Sequence, residues 1–241
     1  ESRYTSHDEL KYSLRSLEMY ADFIRHIYIV TDGQKPEWLD ADAPGITVVD
    51  HKDIFPEGVL PVFNSHAIET RLHHIPGLSD HYLYFNDDVF VGRSVTPQHF
   101  FDRFITHNFM HTPLPQVRSV LQELEEMFPE EVGQTMRSRF RSPDDIAMTA
   151  SMHYNHAYIT GKGVPGKFRF RYVNISRDDA DRRLEGIRAK RNYDFFCLND
   201  VDVPPEQREE VTARMFSFLE EYFPFPSSFE KAPESTASGK R

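Results

Sequence analysis

Apolar residues recur at helical spacing near the start of the chain, where Leu10, Leu14, Leu17, Ala21 and Ile24 share one face after the polar pair Ser6 and Glu9. A capping box followed by that period predicts an amphipathic helix packed on a sheet. Two runs rich in β-branched and aromatic residues follow, His26 to Thr31 and Ile46 to Val49, each bounded by turn residues, and they read as buried strands. Between Asn64 and Pro76 the helical period returns. Ile68, Leu72 and Ile75 form an apolar face there, while His66, Glu69 and His73 share a polar stripe suited to a cleft wall.

Tyr82 to Phe85 is a short strand running into Asn86-Asp87-Asp88, after which Val89 to Gly92 resumes the apolar pattern. Further helices are predicted after Thr96-Pro97, along Val117, Val120, Leu121, Leu124 and Phe128, and along Val211, Met215, Phe218, Leu219 and Tyr222. Helix alternates with strand through the first hundred residues or so, which favours an α/β sandwich with a mainly parallel sheet. A more helical segment from about 97 to 165 is inserted into one domain spanning 1–229, and residues 230–241 lack apolar periodicity and read as a frayed tail.

Composition narrows the function classes. With 241 residues the chain can bury a substantial core, and a net charge of −10 argues against a general binder of nucleic-acid backbones, which needs clustered cations. Any anion handled here has to be held locally. No run approaches the roughly twenty apolar residues of a membrane span, and the N-terminus has no signal-peptide core, so the chain is expected to be soluble. Its one cysteine, Cys197, lies in the apolar run Phe195 to Leu198 and reads as a buried thiol in a reducing compartment.

Chemistry is concentrated at the ends of apolar runs. In open α/β sheets ligands bind beyond the carboxyl ends of strands, where Asn86, Asp87 and Asp88 fall. Adjacent carboxylates repel unless a cation compensates, and magnesium or manganese suits their oxygens; an exposed Asx turn is the plainer alternative. Asn199-Asp200 repeats this grammar after Phe195 to Leu198, with capping of the helix after Pro204-Pro205 by Asp200 or Asp202 as the structural alternative. Ser142-Pro143 reads as a helix start beside Arg139 and Arg141, a place to hold phosphate, although an ion pair with Asp145 would also explain Arg141. Among twelve histidines, His111 and His73 stand out as candidates for proton transfer, although from spacing alone either is more often a satisfied structural residue.

Together these motifs resemble the Stealth family, sugar-phosphate transferases of bacterial capsules and exopolysaccharides related to the lysosomal-enzyme N-acetylglucosamine-1-phosphotransferase. The resemblance runs through Asp8 to Leu17, Ile27 to Gln34, Phe63 to Glu69 and Leu83 to Val89, then His111-Thr112-Pro113, Phe128 to Glu131 and Arg141 to Asp145, and finally Cys197 to Asp200. It implies a glycosyltransferase-A-like, Rossmann-type core over the catalytic domain 1–229. It also implies a divalent metal, Mg2+ or Mn2+, held by Asp87, Asp88 and Asp200. His111, Arg141, Asp145 and Asp88 take catalytic roles by this resemblance, and Asn64, His66, Glu69, His73, Asn86, Arg139 and Asn199 take substrate-binding ones.

The implied partners are a nucleotide-sugar donor, expected to be UDP-N-acetylglucosamine, and a saccharide or polysaccharide acceptor, with UMP leaving. A conventional glycosyltransferase releasing UDP and an inactive sugar-nucleotide-binding module are the alternatives. The implied setting is the bacterial cytoplasm, with peripheral docking at the inner membrane and homo-oligomerisation left open. The family's first block, a strand with a Tyr-Thr-Trp-Val-Asp-Gly-like motif, has no counterpart before Glu1.

Overall fold

The computed structural model describes residues 8–101, 104–105, 111–200 and 203–232, with the backbone alone at 104, 105 and 165. Helix α1 spans Glu9–Tyr20 and ends at Ala21, so the apolar period outruns the helix by one turn at Ile24. Ser6 of the expected capping box lies outside the described residues. Asp8 holds the N-cap position in a left-handed conformation, and its carboxylate accepts from Trp38 Nε1 at 2.9 Å.

Strands β1 (Ile27–Thr31) and β2 (Ile46–Asp50) pair in parallel, with Ile27 opposite Ile46, and Asp50 caps the short helix α2 (His51–Ile54). The helix expected from Asn64 to Pro76 is split into α3 (Ser65–Glu69) and a separate 3-10 turn at Leu72–His74. Next come β3 (His81–Tyr84), β4 (Val89–Val91), α4 (Gln98–Phe101), β5 (Phe104–Ile105) and β6 (Leu114–Val117). Helices α5 (Arg118–Met127) and α6 (Pro129–Arg137), a π turn at Met148–Met152 and α7 (His153–Ile159) follow. The chain closes with β7 (Pro165–Gly166), β8 (Phe170–Asn174), α8 (Ala180–Lys190), β9 (Phe195–Asn199), a 3-10 turn at Pro205–Gln207 and α9 (Arg208–Tyr222).

The class is mixed α/β, but the single, mainly parallel sheet expected from the alternation is replaced by four small sheets among the described residues. Connection length explains the difference. A parallel neighbour requires a crossover of a dozen or more residues, whereas only residues 85–88 separate β3 from β4. These two strands therefore enter different sheets: β3 pairs antiparallel with β6, which comes from the mostly helical segment, and β4 pairs antiparallel with β9. Strand β8 lies parallel to β9 on its other side, giving the order β4-β9-β8.

As an edge strand, β4 has backbone groups with no strand to meet on one side. Helix α1 supplies the partners: Ser13 Oγ donates to the Val89 carbonyl at 2.8 Å, and the Val91 N–H donates to Ser16 Oγ at 3.0 Å. Two serines spaced i, i+3 thus dock the helix on the strand and fix the direction in which the preceding Asp87-Asp88 turn leaves it. Beyond β4, a Cβ on Gly92 would meet the Tyr193 carbonyl oxygen at 2.6 Å, so only glycine fits.

The core of this region joins Phe90 and Phe196 to Val211, Met215, Phe218, Leu219 and Tyr222, the α9 positions anticipated from periodicity. Arg15, buried under α1, donates to both carboxylate oxygens of Glu230, through Nε at 2.7 Å and Nη2 at 2.8 Å, and to the Phe223 carbonyl at 3.0 Å. Lys231 N–H donates to the Trp38 carbonyl. Residues 230 and 231 are therefore part of the fold rather than of a frayed tail, whose remaining residues 233–241 lie outside the described ones.

Candidate functional site

The acidic turn after β3 is built into the start of the next strand. Val89 N–H donates to the Asn86 carbonyl at 3.3 Å, closing the turn, and Leu198 N–H donates to the Asp88 carbonyl at 3.2 Å, extending the β4-β9 ladder by one residue. Because those strands are antiparallel, the beginning of β4 meets the end of β9. Asp88 is thereby held beside Leu198 and Asn199, one residue short of Asp200. Asp88, leading into β4, and Asn199, ending β9, therefore meet at one end of one sheet, although the sequence presents them as the ends of two separate strands.

Three donors converge on Asp88 Oδ2: His111 Nδ1 at 2.7 Å, Asn199 Nδ2 at 3.1 Å and Cys197 Sγ at 3.2 Å. The hydrogen bond to Asp88 raises the His111 pKa, against an opposing effect of burial. An acceptor-only carboxylate places the imidazole hydrogen on Nδ1 and leaves Nε2 as the acceptor nitrogen. Cys197 is fully buried, and burial, followed by the charge of Asp88, pushes its thiol up. It remains a weak donor, as its apolar neighbours suggested, but its contact with Asp88 was not anticipated. The strand period was the available signal, since Cys197 and Asn199 lie on the same face of β9.

The other oxygen of Asp88, Oδ1, is buried without a hydrogen-bond partner. Asp87 reaches the surface, yet crowding by protein and then the charge of Asp88 raise its pKa. An orphaned carboxylate oxygen beside a strained acidic neighbour is chemistry that a hard divalent cation satisfies. Asp88, His111 and Cys197 also place ligating atoms within 4.8 Å of one another. A softer metal would require the thiolate of Cys197, which burial beside Asp88 disfavours, so the unpartnered Oδ1 of Asp88 is the oxygen the site offers to a hard cation.

A second group comes from the N-terminus of α3 and the loop after α6. No helix starts at Ser142-Pro143; the segment is a turn, with Asp145 N–H donating to the Ser142 carbonyl at 3.1 Å. The turn is closed by Asp145 Oδ2, which accepts from Ser142 N–H at 2.7 Å and from Asn64 Nδ2 at 2.8 Å. Burial would raise the Asp145 pKa, but these bonds outweigh it and the net shift is downward. With Asp145 engaged in this way, Arg141 Nη2 donates to Ser65 Oγ at 2.5 Å rather than forming the ion pair that was one alternative. Phosphate binding at a helix start is thus corrected to a guanidinium carried on a braced loop.

Arg141 lies close enough to act electrostatically on both Glu69 and His111, which links the two groups. Glu69 is buried, with Oε2 accepting from Thr149 Oγ1 at 2.5 Å, and burial raises its pKa. His66 is within electrostatic reach of both Glu69 and Asp145. Arg139 lies over the Phe63 ring at 5.8 Å, and Phe63 stacks on Phe140 with centroids 5.7 Å apart. Both rings are open to solvent, 48% and 62% exposed, and form an aromatic lip that periodicity could not reveal.

His73 takes a different course. Once the helix breaks after Glu69, its imidazole no longer continues the His66 and Glu69 stripe; Nε2 meets Glu125 Oε2 at 2.7 Å, and His74 Nε2 meets the same oxygen at 2.8 Å. Arg71 holds the other carboxylate oxygen at 2.8 Å. Among the described residues no helix is long and apolar enough to cross a membrane.

Comparison with known sequences places the chain among proteins of one family. Residues 3–109 match Stealth protein CR2, conserved region 2; residues 110–158 match CR3, conserved region 3; and residues 185–239 match CR4, conserved region 4. An exopolysaccharide phosphotransferase of Streptomyces coelicolor is 42% identical over 95% of this chain and 47% of its own length. The exopolysaccharide phosphotransferase CpsY of Mycobacterium tuberculosis is 42% identical over 96% of this chain and 52% of its own. The chain spans about half the length of the curated relatives it matches.

Proposed function

Because the chain belongs to the Stealth family, we propose that it carries the transfer site of an enzyme that moves a sugar 1-phosphate from a nucleotide sugar to a saccharide hydroxyl. The donor in this reading is UDP-N-acetylglucosamine and the leaving group UMP. The observation that supports it most is the division of labour on Asp88, one oxygen oriented toward His111 and the other buried and unpartnered, with Arg141 within electrostatic reach.

His111 Nε2 takes the proton from the acceptor hydroxyl as that oxygen attacks the sugar-bearing phosphorus; the new O–P bond forms while the bond from phosphorus to the UMP oxygen breaks. Asp88 keeps the imidazole in the tautomer with Nδ1 protonated and stabilises the imidazolium that forms, as carboxylates paired with histidine do elsewhere. Arg141 binds the transferred phosphoryl oxygens, and the bonds of Asp145 to Asn64 and Ser142 keep its loop in place. Mg2+ or Mn2+, held by Asp88 with Asp87 and Asp200, would supply charge neutralisation on the donor pyrophosphate when bound. In this reading Glu69, His66 and Asn199 contact the substrates, and the Phe63-Phe140 lip suits the flat face of a sugar or base. Attack at phosphorus leaves the anomeric carbon untouched, so its configuration is retained.

The test is product identity. The full-length protein incubated with UDP-N-acetylglucosamine, Mg2+ and an oligosaccharide acceptor is expected to release UMP and form a phosphodiester. Release of UDP would assign it instead to conventional glycosyl transfer.

A further inference from the structure

On the face of β8 turned away from Asp88 lies a pocket of about 280 Å³ lined by Arg171, Arg182, Arg183, Gly186, Lys190 and Tyr193. It sits between α8 and β8, the outer strand of its sheet. Strand alternation sets its side: Tyr172 is within electrostatic reach of Asp88 and Asp200, so the adjacent Arg171 projects from the opposite face.

The charge there runs against that of the chain as a whole. Between Lys162 and Asp194 there are ten lysines and arginines against five acidic residues, in a protein of net charge −10. Asp179 holds two of the pocket's cations, accepting from Arg183 Nε at 2.7 Å and Arg182 Nη2 at 3.3 Å. Arg171 lies over the Tyr193 ring at 5.3 Å and donates to its hydroxyl at 2.9 Å. The acidic residues Asp181, Glu185 and Glu221 instead line the other side of α8 with Arg188 and Arg214. Space is available as well as charge, since a Cβ added to Gly186 would meet nothing within 4 Å.

The positive charge continues toward the transfer site. Asp179, whose pKa is lowered first by its bond from Arg183, and Tyr172, whose pKa is raised first by burial, both feel the guanidinium of Arg177. Arg177, in the turn between β8 and α8, is therefore within electrostatic reach of both Asp179 and Tyr172.

We propose that this pocket binds a phosphodiester group already present in a saccharide acceptor while the end of that acceptor is presented to the transfer site. The inference rests on the phosphotransferase reading: each transfer adds one phosphodiester, so after the first round the acceptor is an anion that a surface of net negative charge repels. Guanidinium forks suit phosphate oxygens, and a neutral saccharide offers them hydrogen bonds without the charge and bidentate geometry that strengthen the contact. A bilayer fits less well, because the cations line a recess whose neighbouring helix face is acidic.

Fluorescence polarisation would test this with three probes and no nucleotide sugar: a labelled oligosaccharide containing two phosphodiester links, its phosphate-free counterpart of equal length, and phosphatidylglycerol vesicles. The phosphodiester probe is expected to bind, more weakly as NaCl is raised, and the neutral one not to. Gly186→Glu adds a carboxylate to the pocket at a helix position with room for it, and it should weaken binding about tenfold or more, as should the pair R182Q and K190Q. Arg188→Gln, on the other side of α8, should change binding by less than about twofold. Equal binding of the neutral probe, undiminished binding by a Gly186→Glu protein of unaltered circular dichroism, or binding to vesicles alone would overturn the proposal. Because binding is read without donor, a protein that binds the phosphodiester probe here yet releases no UMP when donor and acceptor are supplied separately would count against the transfer reaction and not against the pocket.

Discussion

Asp88 Oδ2 accepts a 2.7 Å hydrogen bond from His111 Nδ1 across a separation of 23 residues, while Oδ1 of the same carboxylate is buried and unbonded. One side chain thereby orients a base and offers a site for positive charge.

The raised pKa of His111 makes the reaction pH-dependent in a definite direction. His111 acts as a base only when neutral, so kcat/KM should rise with pH through a value above the ordinary histidine pKa of about 6.5. Asp88→Asn removes the main cause of the shift; the limb should move to lower pH and kcat fall about 10³-fold or more, as when a histidine loses its orienting carboxylate. The linked stability has the opposite slope: the His111 contact contributes fully below the unfolded pKa and is lost as pH rises through the folded one. A histidine NMR titration of both proteins checks the assignment.

If oxygen ligation at Asp88 and Asp200 is correct, EDTA should end transfer and added Mg2+ restore it. Asp88→Ala and Asp200→Ala should each lower turnover by about 10² or more with little change in the thermal midpoint. Near-normal UMP release from either variant would remove that residue from the site.

Asp145 tests positioning rather than chemistry. Asp145→Ala frees the loop that carries Arg141, and a displacement of about 1 Å is enough to lower kcat about 100-fold. Arg141→Lys should not restore function, since an ammonium lacks the planar fork. A variant at Asp145 with unchanged kcat and donor KM would show that Arg141 does not depend on it.

His153 provides a stability test away from the cleft. Val117 N–H donates to its Nε2 at 2.8 Å, and burial, with a smaller effect of His156, lowers its pKa to about 4. The unfolded chain therefore binds the extra proton first, so stability is complete above the unfolded pKa and falls as pH drops toward about 4. His153→Ala leaves a cavity and an unsatisfied N–H and should cost about 2–5 kcal/mol by urea denaturation at neutral pH. His153→Gln should flatten the acid limb.

Breaking the buried Arg15-Glu230 pair should be costly. Glu230→Ala takes both carboxylate bonds from a buried guanidinium that keeps the Phe223 carbonyl and Glu220 as partners, and a loss of about 3 kcal/mol is expected. Equal stability of a chain ending at 229 would show that this contact is dispensable.

Local patterns were legible where one element buries one face. The α1, α5 and α9 periodicities foresaw Leu14, Leu17, Val120, Leu124, Met215 and Leu219, all of which are buried. The stripe from His66 to His73 does not persist in three dimensions: the helix ends at Glu69, which bonds Thr149, and His73 on the following turn meets Glu125. Ser142-Pro143 has the composition of a helix start, but its donors are taken by Asp145, closing a turn instead.

By itself the sequence determined which residues carry charge, which runs are apolar and which family's motifs the chain holds in order, since these depend on side-chain type and short spacing. Only the tertiary structure decided that the beginning of β4 meets the end of β9, that Asp88 faces His111 rather than solvent, and that Arg171 joins Arg182 and Lys190 around an open glycine. Such relationships join residues far apart in the chain, and strand register and helix docking set them through backbone hydrogen bonds that no local pattern encodes.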